Sequence, residues 1–237
     1  ETFKVTGTKN DFLFGSLIAD GYEGWIPKNC LGDLPVPNAR LIAPMTHVTL
    51  RASVKSPSCF SLSFRAMVNV INMKGDRAKI ATATGHAFLP RRHVQRLANV
   101  KKKPSAENEL VDIDWVGFAE RLINAPYKWG GRTAWGLDCS ALVQLSLAAT
   151  GLDVPRDSGP QHEIGIHLDI ESCLSKSNLR RGDLVFWQGH VGIMQDHHRL
   201  LHANAYHMAV VSEPLEDAVT RISPIAGPIT ALRRPIF

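Results

Sequence analysis

The 237-residue chain has no CxxC pair and no cluster of cysteines; its four stand apart at positions 30, 59, 139 and 173. That spacing argues against a disulfide scaffold or a structural zinc site and fits a reducing compartment, although it leaves room for two bridges among the four. No stretch approaches the roughly eighteen uninterrupted apolar residues of a helical membrane span, so none is expected. The opening ETFKVTGTKND lacks a charged-then-apolar secretion leader. A cytoplasmic location is the expectation, with a periplasmic or secreted one the alternative if an upstream signal has been removed. No nucleic-acid-binding motif stands out, which leaves nucleic acid out of the expected partners.

Charge is present but divided. Residues 1–103 hold 16 Lys/Arg against 6 Asp/Glu, whereas residues 104–237 hold 11 against 16. A basic module followed by an acidic one points to separate roles. The basic half is read as a solvated surface, attraction of a polyanion being the alternative.

The first hundred residues read as short strands between turn signals, the pattern of small β-barrels. DGYEGWIPKNCL and TATGHAFLPRRHV share the order turn, glycine, aromatic, proline, basic residue, a weak internal repeat. KKKPSAENE, residues 101–109, is polar and lies where the charge changes sign, so it reads as a linker. Val111, Trp115, Phe118 and Leu122 then recur at helical spacing, which predicts a helix over 110–124 ended by Pro126. Asp138 stands where a helix N-cap belongs. Ala141, Leu142, Leu145, Ala148 and Ala149 mark one apolar face behind it, with Gly151 as the stop. From residue 183 the pattern is strands: DLVFW, HVGIM, LLHAN and MAVVS. The second half is therefore α+β, helices followed by an antiparallel sheet.

With Asp138 as N-cap, Cys139 occupies the first helical turn. Unpaired N–H groups and the positive end of the helix dipole favour a thiolate there and are placed to receive an oxyanion. A nucleophilic thiolate needs a base. HVGIM and LLHAN flank the polar turn QDHHR, and a hairpin centred on Asp196 sets His190 opposite His202 on one face. One histidine can face the cysteine while the other orients its ring. His197, His198, His202 and His207 lack a metal-ligand spacing, so no metal or cofactor is expected. Cys30, Cys59 and Cys173 read as structural, and Trp129, Trp135 and Trp187 as core or cleft walls.

The ordered blocks PYKWGG, GLDCSALVQ, GLDVPRDSGPQ, RRGDLVFWQGHVGIM and LLHANAYHMAV resemble the NlpC-type papain-like cysteine peptidases. The basic half resembles the bacterial SH3-like domains that accompany that family. The resemblance implies an SH3-like domain over 1–34, truncated, a second over 35–100, the linker 101–109 and a papain-like peptidase domain over 110–237. It implies hydrolysis of the γ-D-glutamyl–diamino acid bond of cell-wall peptides, with free L-Ala-γ-D-Glu-diaminopimelate released in recycling as the expected substrate and a monomer as the expected state. The alternatives are remodelling of intact peptidoglycan and an inert wall-binding protein acting through its SH3-like half. Carried onto this sequence, the family pattern makes Cys139 the nucleophile, His190 the base and acid, and His202 the orienting residue. Tyr127 falls at the cleft tyrosine, Asp138 and Ser140 at positions that bind the free amino end, and Arg156, Asp157 and Ser158 at a cleft-edge motif. Ala141 replaces the usual glycine after Asp-Cys-Ser, a change expected to be tolerated because alanine is the better helix former.

Overall fold

The chain is described from a computed structural model over residues 2–32, 36–97, 114–175 and 177–236. It divides into two compact units, Glu1–Glu109 and Leu110–Phe237. The 101–109 linker and the start of the expected 110–124 helix lie outside the described residues.

The described part of the first unit is built from strands and two 3-10 turns. Strands β1 (Phe3–Lys9), β2 (Phe12–Leu17) and β3 (Glu23–Pro27) form an antiparallel meander. The strands that follow are β4 (Ala39–Leu41), β5 (Met45–Thr49), β6 (Ser58–Ser63), β7 (Met67–Val68), β8 (Val70–Lys74), β9 (Arg77–Thr82), β10 (Gly85–Pro90) and β11 (Val94–Arg96). They make a five-stranded sheet, β6-β5-β10-β9-β8, and a three-stranded one, β11-β4-β7. Alternation is plain along them: Ala78 and Ile80 of β9 and Ala87 and Leu89 of β10 point into one core with Leu41, Val48 and Val94. The two repeat segments follow the same backbone course. β3 runs through Pro27 into a 3-10 turn at Lys28–Cys30, and β10 through Pro90 into one at Arg91–His93. The two prolines have φ of −61° and −60°.

The second unit opens with α1 (Trp115–Glu120), capped by Asp114, whose side chain accepts from Gly117 N at 2.9 Å. The helix is shorter than the spacing predicts. Residues 121–124 tighten into turns and Asn124 takes a φ of 68°, because the backbone before Pro126 is turned toward a strand. Asn124 N then donates to Val210 O and Tyr127 N to Met208 O, both at 2.9 Å. Next come β12 (Arg132–Thr133), β13 (Gly136–Leu137), α2 (Cys139–Ala148), α3 (Ser158–Gln161), β14 (Ile166–Leu168) and α4 (Ile170–Ser175). The chain ends with β15 (Leu184–Trp187), β16 (His190–Met194), β17 (Arg199–Asn204), β18 (Ala209–Pro214), α5 (Leu215–Ala226) and β19 (Ala231–Arg234). These strands form a six-stranded antiparallel sheet, β14-β19-β15-β16-β17-β18, as the α+β reading expects.

Helix α2 packs on β16 and β17, and α5 on β17 and β18. All four residues of β15 are buried, so the sheet is covered on both faces. A single apolar face was expected for α2, yet all ten of its residues are buried. A helix that is apolar nearly all round belongs in the middle of its unit. The first residue of that central helix is Cys139.

Candidate active site

The site is assembled from the N-terminus of α2, the loop before it and the strands β16 to β18. Asp138 has extended backbone (φ −99°, ψ −178°), and its Oδ1 accepts from Ala141 N at 2.9 Å, so it is the N-cap that the sequence indicates. It is also more than a cap. Arg156, itself buried, donates to both its carboxylate oxygens, Nη1 to Oδ1 at 2.9 Å and Nη2 to Oδ2 at 2.6 Å. Gly130 N donates to Oδ2 at 2.8 Å, and Arg156 Nη2 reaches Gly131 O at 3.1 Å. Gly130 has a φ of +73°, and a Cβ on Gly131 would lie 2.4 Å from Gly136 O, so the loop depends on both glycines. One buried ion pair thus ties the loop 128–131 to the start of α2.

Asp138 and Ser140, expected as ligands of a substrate amine, are bonded within the protein itself. Both Asp138 oxygens are held by Arg156 and by loop or helix amides. Ser140 Oγ donates to Asp138 Oδ1 at 3.2 Å and accepts from Arg156 Nη1 at 2.9 Å, and both residues are buried. They hold the helix start in place and offer no free carboxylate oxygen. Asp157 is instead exposed, precedes α3 and makes no capping bond with its side chain; Ser158 beside it is half-buried. Gln161 of α3 is fully buried, and its Nε2 donates to Ser140 O at 3.0 Å and Pro155 O at 2.8 Å.

Cys139 is buried, and its sulfur is met by the amides of Val191, Ser140 and Cys139 itself. Burial nonetheless pushes the thiol above its ordinary value of 9.0, and the charge of Asp138 adds to the rise. Burial thus opposes the thiolate that the helix dipole favours. Tyr127 is half-buried beside it; burial, then the charges of Cys139 and Asp138, raise the phenol. Ala141 is fully buried, so its methyl adds nothing to the open cleft.

His190 Nε2 and His202 Nδ1 are 2.8 Å apart. The hairpin is centred one residue later than predicted: Ile193 pairs with Leu201 and Met194 with Leu200. Continued, that register puts His202 diagonal to His190 rather than opposite it. A shift of one in the centre moves the partner by two, so both rings keep the same face. Burial, then His202 and Arg221, hold His190 down at about 3 against the pull of Glu213. Its ring also lies beside the buried Trp187, centroids 5.8 Å apart.

The sequence reading missed what stands behind His202. Fully buried, His202 directs Nε2 to Glu213 Oε1 at 2.6 Å, and Glu213 is bonded in turn by Arg221 of α5. Burial favours the neutral acid at Glu213, but His202, Arg221 and His207 outweigh it and hold the carboxyl below its usual range. Burial also lowers His202, opposed by Glu213. The signal was available in the register of the second hairpin, where His202 pairs with Val211 and Leu200 with Glu213. That pairing leaves Glu213 two residues from His202's partner on the same face.

Other expectations divide. Trp187 is core, whereas Trp129 is 86% and Trp135 48% exposed. Cys30 and Cys59 are exposed free thiols; Cys173 is buried and free. The turn brings Asp196, His197 and His198 together at the surface. Asp196 Oδ1 already accepts from His198 N at 2.9 Å and Arg199 N at 2.8 Å, so the turn's own bonding accounts for the cluster.

Two outcomes follow from these charges. Alkylation of Cys139 by iodoacetamide, followed by peptide mass mapping, should be slow at pH 6–7 and climb about tenfold per pH unit toward pH 9. A rate already level at pH 6 would show a resting thiolate. Replacing Arg156 with methionine leaves the Asp138 carboxylate buried without its cation, and urea denaturation should register a loss of about 3–5 kcal/mol. A change below about 1 kcal/mol would show that the pair does not hold the fold.

Residues 124–222 match the model of the NlpC/P60 family. The chain is 23% identical over 219 residues to the gamma-D-glutamyl-L-lysine dipeptidyl-peptidase of Bacillus cereus, covering 88% of this chain and 61% of that protein. It is 25% identical to the Bacillus subtilis protein of the same name, covering 75% of this chain and 56% of the relative. It is 32% identical over 122 residues to murein DD-endopeptidase MepS/murein LD-carboxypeptidase of Escherichia coli, covering 48% of this chain and 58% of the relative. The chain thus spans about 56–61% of the length of these three relatives. A crystal structure of an NlpC/P60 family protein from Bacillus cereus superposes with a TM-score of 0.74 at 22% identity, covering 98% of this chain and 78% of that one, which shows a shared fold. The residues that match the NlpC/P60 family model, 124–222, lie within the second unit and include its central helix α2 and the strands β15 to β18.

Proposed function

We propose that the protein is a cysteine endopeptidase that cuts the bond between γ-D-glutamate and a diamino acid in cell-wall peptides. The observation that carries this reading is the hydrogen-bonded line from His190 through His202 to Glu213, with Cys139, at the start of the helix packed on β16, against the backbone of Val191, the next residue after His190. Its direction follows from its far end. Glu213 is a carboxylate and can only accept, so His202 donates from Nε2. Neutral His202 then accepts at Nδ1 from Nε2–H of His190, which leaves the lone pair of His190 on Nδ1.

That lone pair takes the Cys139 proton as the sulfur attacks the γ-glutamyl carbonyl carbon. The carbonyl electrons move to oxygen, and the oxyanion is received by N–H groups at the start of α2. His190 returns the proton to the amine of the diamino acid as the C–N bond breaks, leaving a thioester on Cys139. Water attacks the thioester, gives its proton to His190 and frees the acid and the thiol. Because thiol and imidazole both start neutral, the step is a proton transfer coupled to attack. Glu213 touches no substrate atom; it positions the relay.

The names of the Bacillus relatives support a γ-D-glutamyl bond and removal of a dipeptide. The proposal extends to free L-Ala-γ-D-Glu-diaminopimelate as substrate, in the cytoplasm during recycling, with Asp157 rather than Asp138 as the open carboxylate for the amino end. The name of the Escherichia coli relative favours a second reading, action on intact murein.

Mass-spectrometric turnover of L-Ala-γ-D-Glu-meso-diaminopimelate, its N-acetylated form and intact sacculi separates these readings. The free-amine peptide should be cut by the unaltered chain and not by Cys139→Ala. Activity retained in Cys139→Ala refutes the mechanism, and faster cutting of sacculi or of the acetylated peptide refutes the recycling role. Glu213→Gln should lower kcat roughly tenfold or more with KM within about twofold, because the amide no longer fixes one tautomer of His202. Unchanged kcat would remove Glu213 from the relay.

A further inference from the structure

We infer that the first unit carries a binding site for a phosphate-rich, base-free polymer, in a cavity walled by arginine. The cavity, about 740 Å³, lies where β9 begins, where β10 runs into its 3-10 turn, and along β11. Arg77, Arg91, Arg92 and Arg96 line it, against one acid, Asp76. Among the described residues none of these four guanidinium groups forms an ion pair, and with Asp76 counted the cavity holds a net charge of about +3.

Two of the four are fixed from behind. Arg77 donates Nη2 to Thr49 Oγ1 at 2.6 Å, and its buried Nε has no partner; Arg96 donates Nη1 to Val70 O at 3.1 Å. The other two stand exposed on the turn. Guanidinium donors anchored at one end and open at the other suit an oxyanion, which fills several N–H positions at once.

The turn itself does not require these charges. Its counterpart at Lys28–Cys30 has the same backbone course with one basic residue, and the cavity beside that turn, about 430 Å³, has no cationic wall. The arginines are therefore an addition to a framework that forms without them. About three charges in one cavity call for an anion repeated along a chain, as in a polyol phosphate. No aromatic side chain lines the cavity, so nothing there stacks a base, which disfavours nucleic acid.

The test is calorimetric titration of the full chain with an oligomer of glycerol phosphate, beside a ten-residue oligothymidylate and a soluble wall peptide. The oligomer should bind, and its affinity should fall roughly twentyfold between 50 and 200 mM salt for about three phosphate contacts. The double variant Arg91→Gln, Arg92→Gln should lose at least tenfold in affinity while peptide cleavage stays unchanged, which shows the fold intact. Absence of binding at millimolar oligomer, or equal binding by the double variant, overturns the site. Equal or tighter binding of the oligothymidylate or the wall peptide at these arginines overturns the assignment to a phosphate polymer.

Discussion

The buried pair of Asp138 and Arg156 is the constraint on which the second unit turns. Its carboxylate caps α2, holds the amide of Gly130 and takes both arms of the guanidinium. A buried ion pair of this kind contributes little by itself, because desolvation offsets much of the attraction. Its effect is positional. Three separate pieces of chain, the loop at 128–131, the helix start with Ser140 and the segment around Arg156, become one rigid body, and Cys139 is part of it. Gln161 adds a further attachment through the carbonyls of Ser140 and Pro155. Cys139 is thus held through the helix start on which it stands.

The other half of the site is fixed from the sheet. His190 begins β16, His202 lies within β17 and Glu213 near the end of β18, so three neighbouring strands supply three consecutive members of one hydrogen-bonded line. Arg221 on α5 anchors its end, and with His202 it holds the Glu213 carboxyl below its usual range against the effect of burial. Burial disfavours the charged forms of both histidines and of Cys139. Backbone amides around the sulfur are positioned for the charge that appears on attack.

Much of this was legible in the sequence. Asp138 announces the helix because a short acidic side chain before an apolar run has one common use, and Cys139 follows from it. His190 and His202 were found on one face through hairpin parity although the predicted centre was wrong. The rest was hidden for physical reasons. The periodicity of α2 suggests one apolar face, but the small residues and Ser146 between its apolar positions pack inside as readily, so full burial is a tertiary outcome. The balance that leaves Cys139 protonated depends on how much water the fold removes, which no local pattern states. Glu213 lies one hairpin beyond the reach of the motif, and the pairing of Arg156 with Asp138 joins residues 18 apart that no local pattern connects. Trp129 and Trp135 read as core or cleft walls because tryptophan is usually buried, and of these the core reading fails, since they stand exposed around β12 and β13.

Hairpin parity has a further consequence for how such a site can change over time. The turn between β16 and β17 can gain or lose residues in pairs, since each such step slides one strand past the other while returning every side chain to its own face. A slip of the pairing by one residue carries one histidine to the far side of the sheet and separates the relay. A change in the length of the turn therefore leaves the relay intact only where the strands keep a pairing that holds both rings on one face, so the relay is set by the pairing and not by the turn that joins the strands.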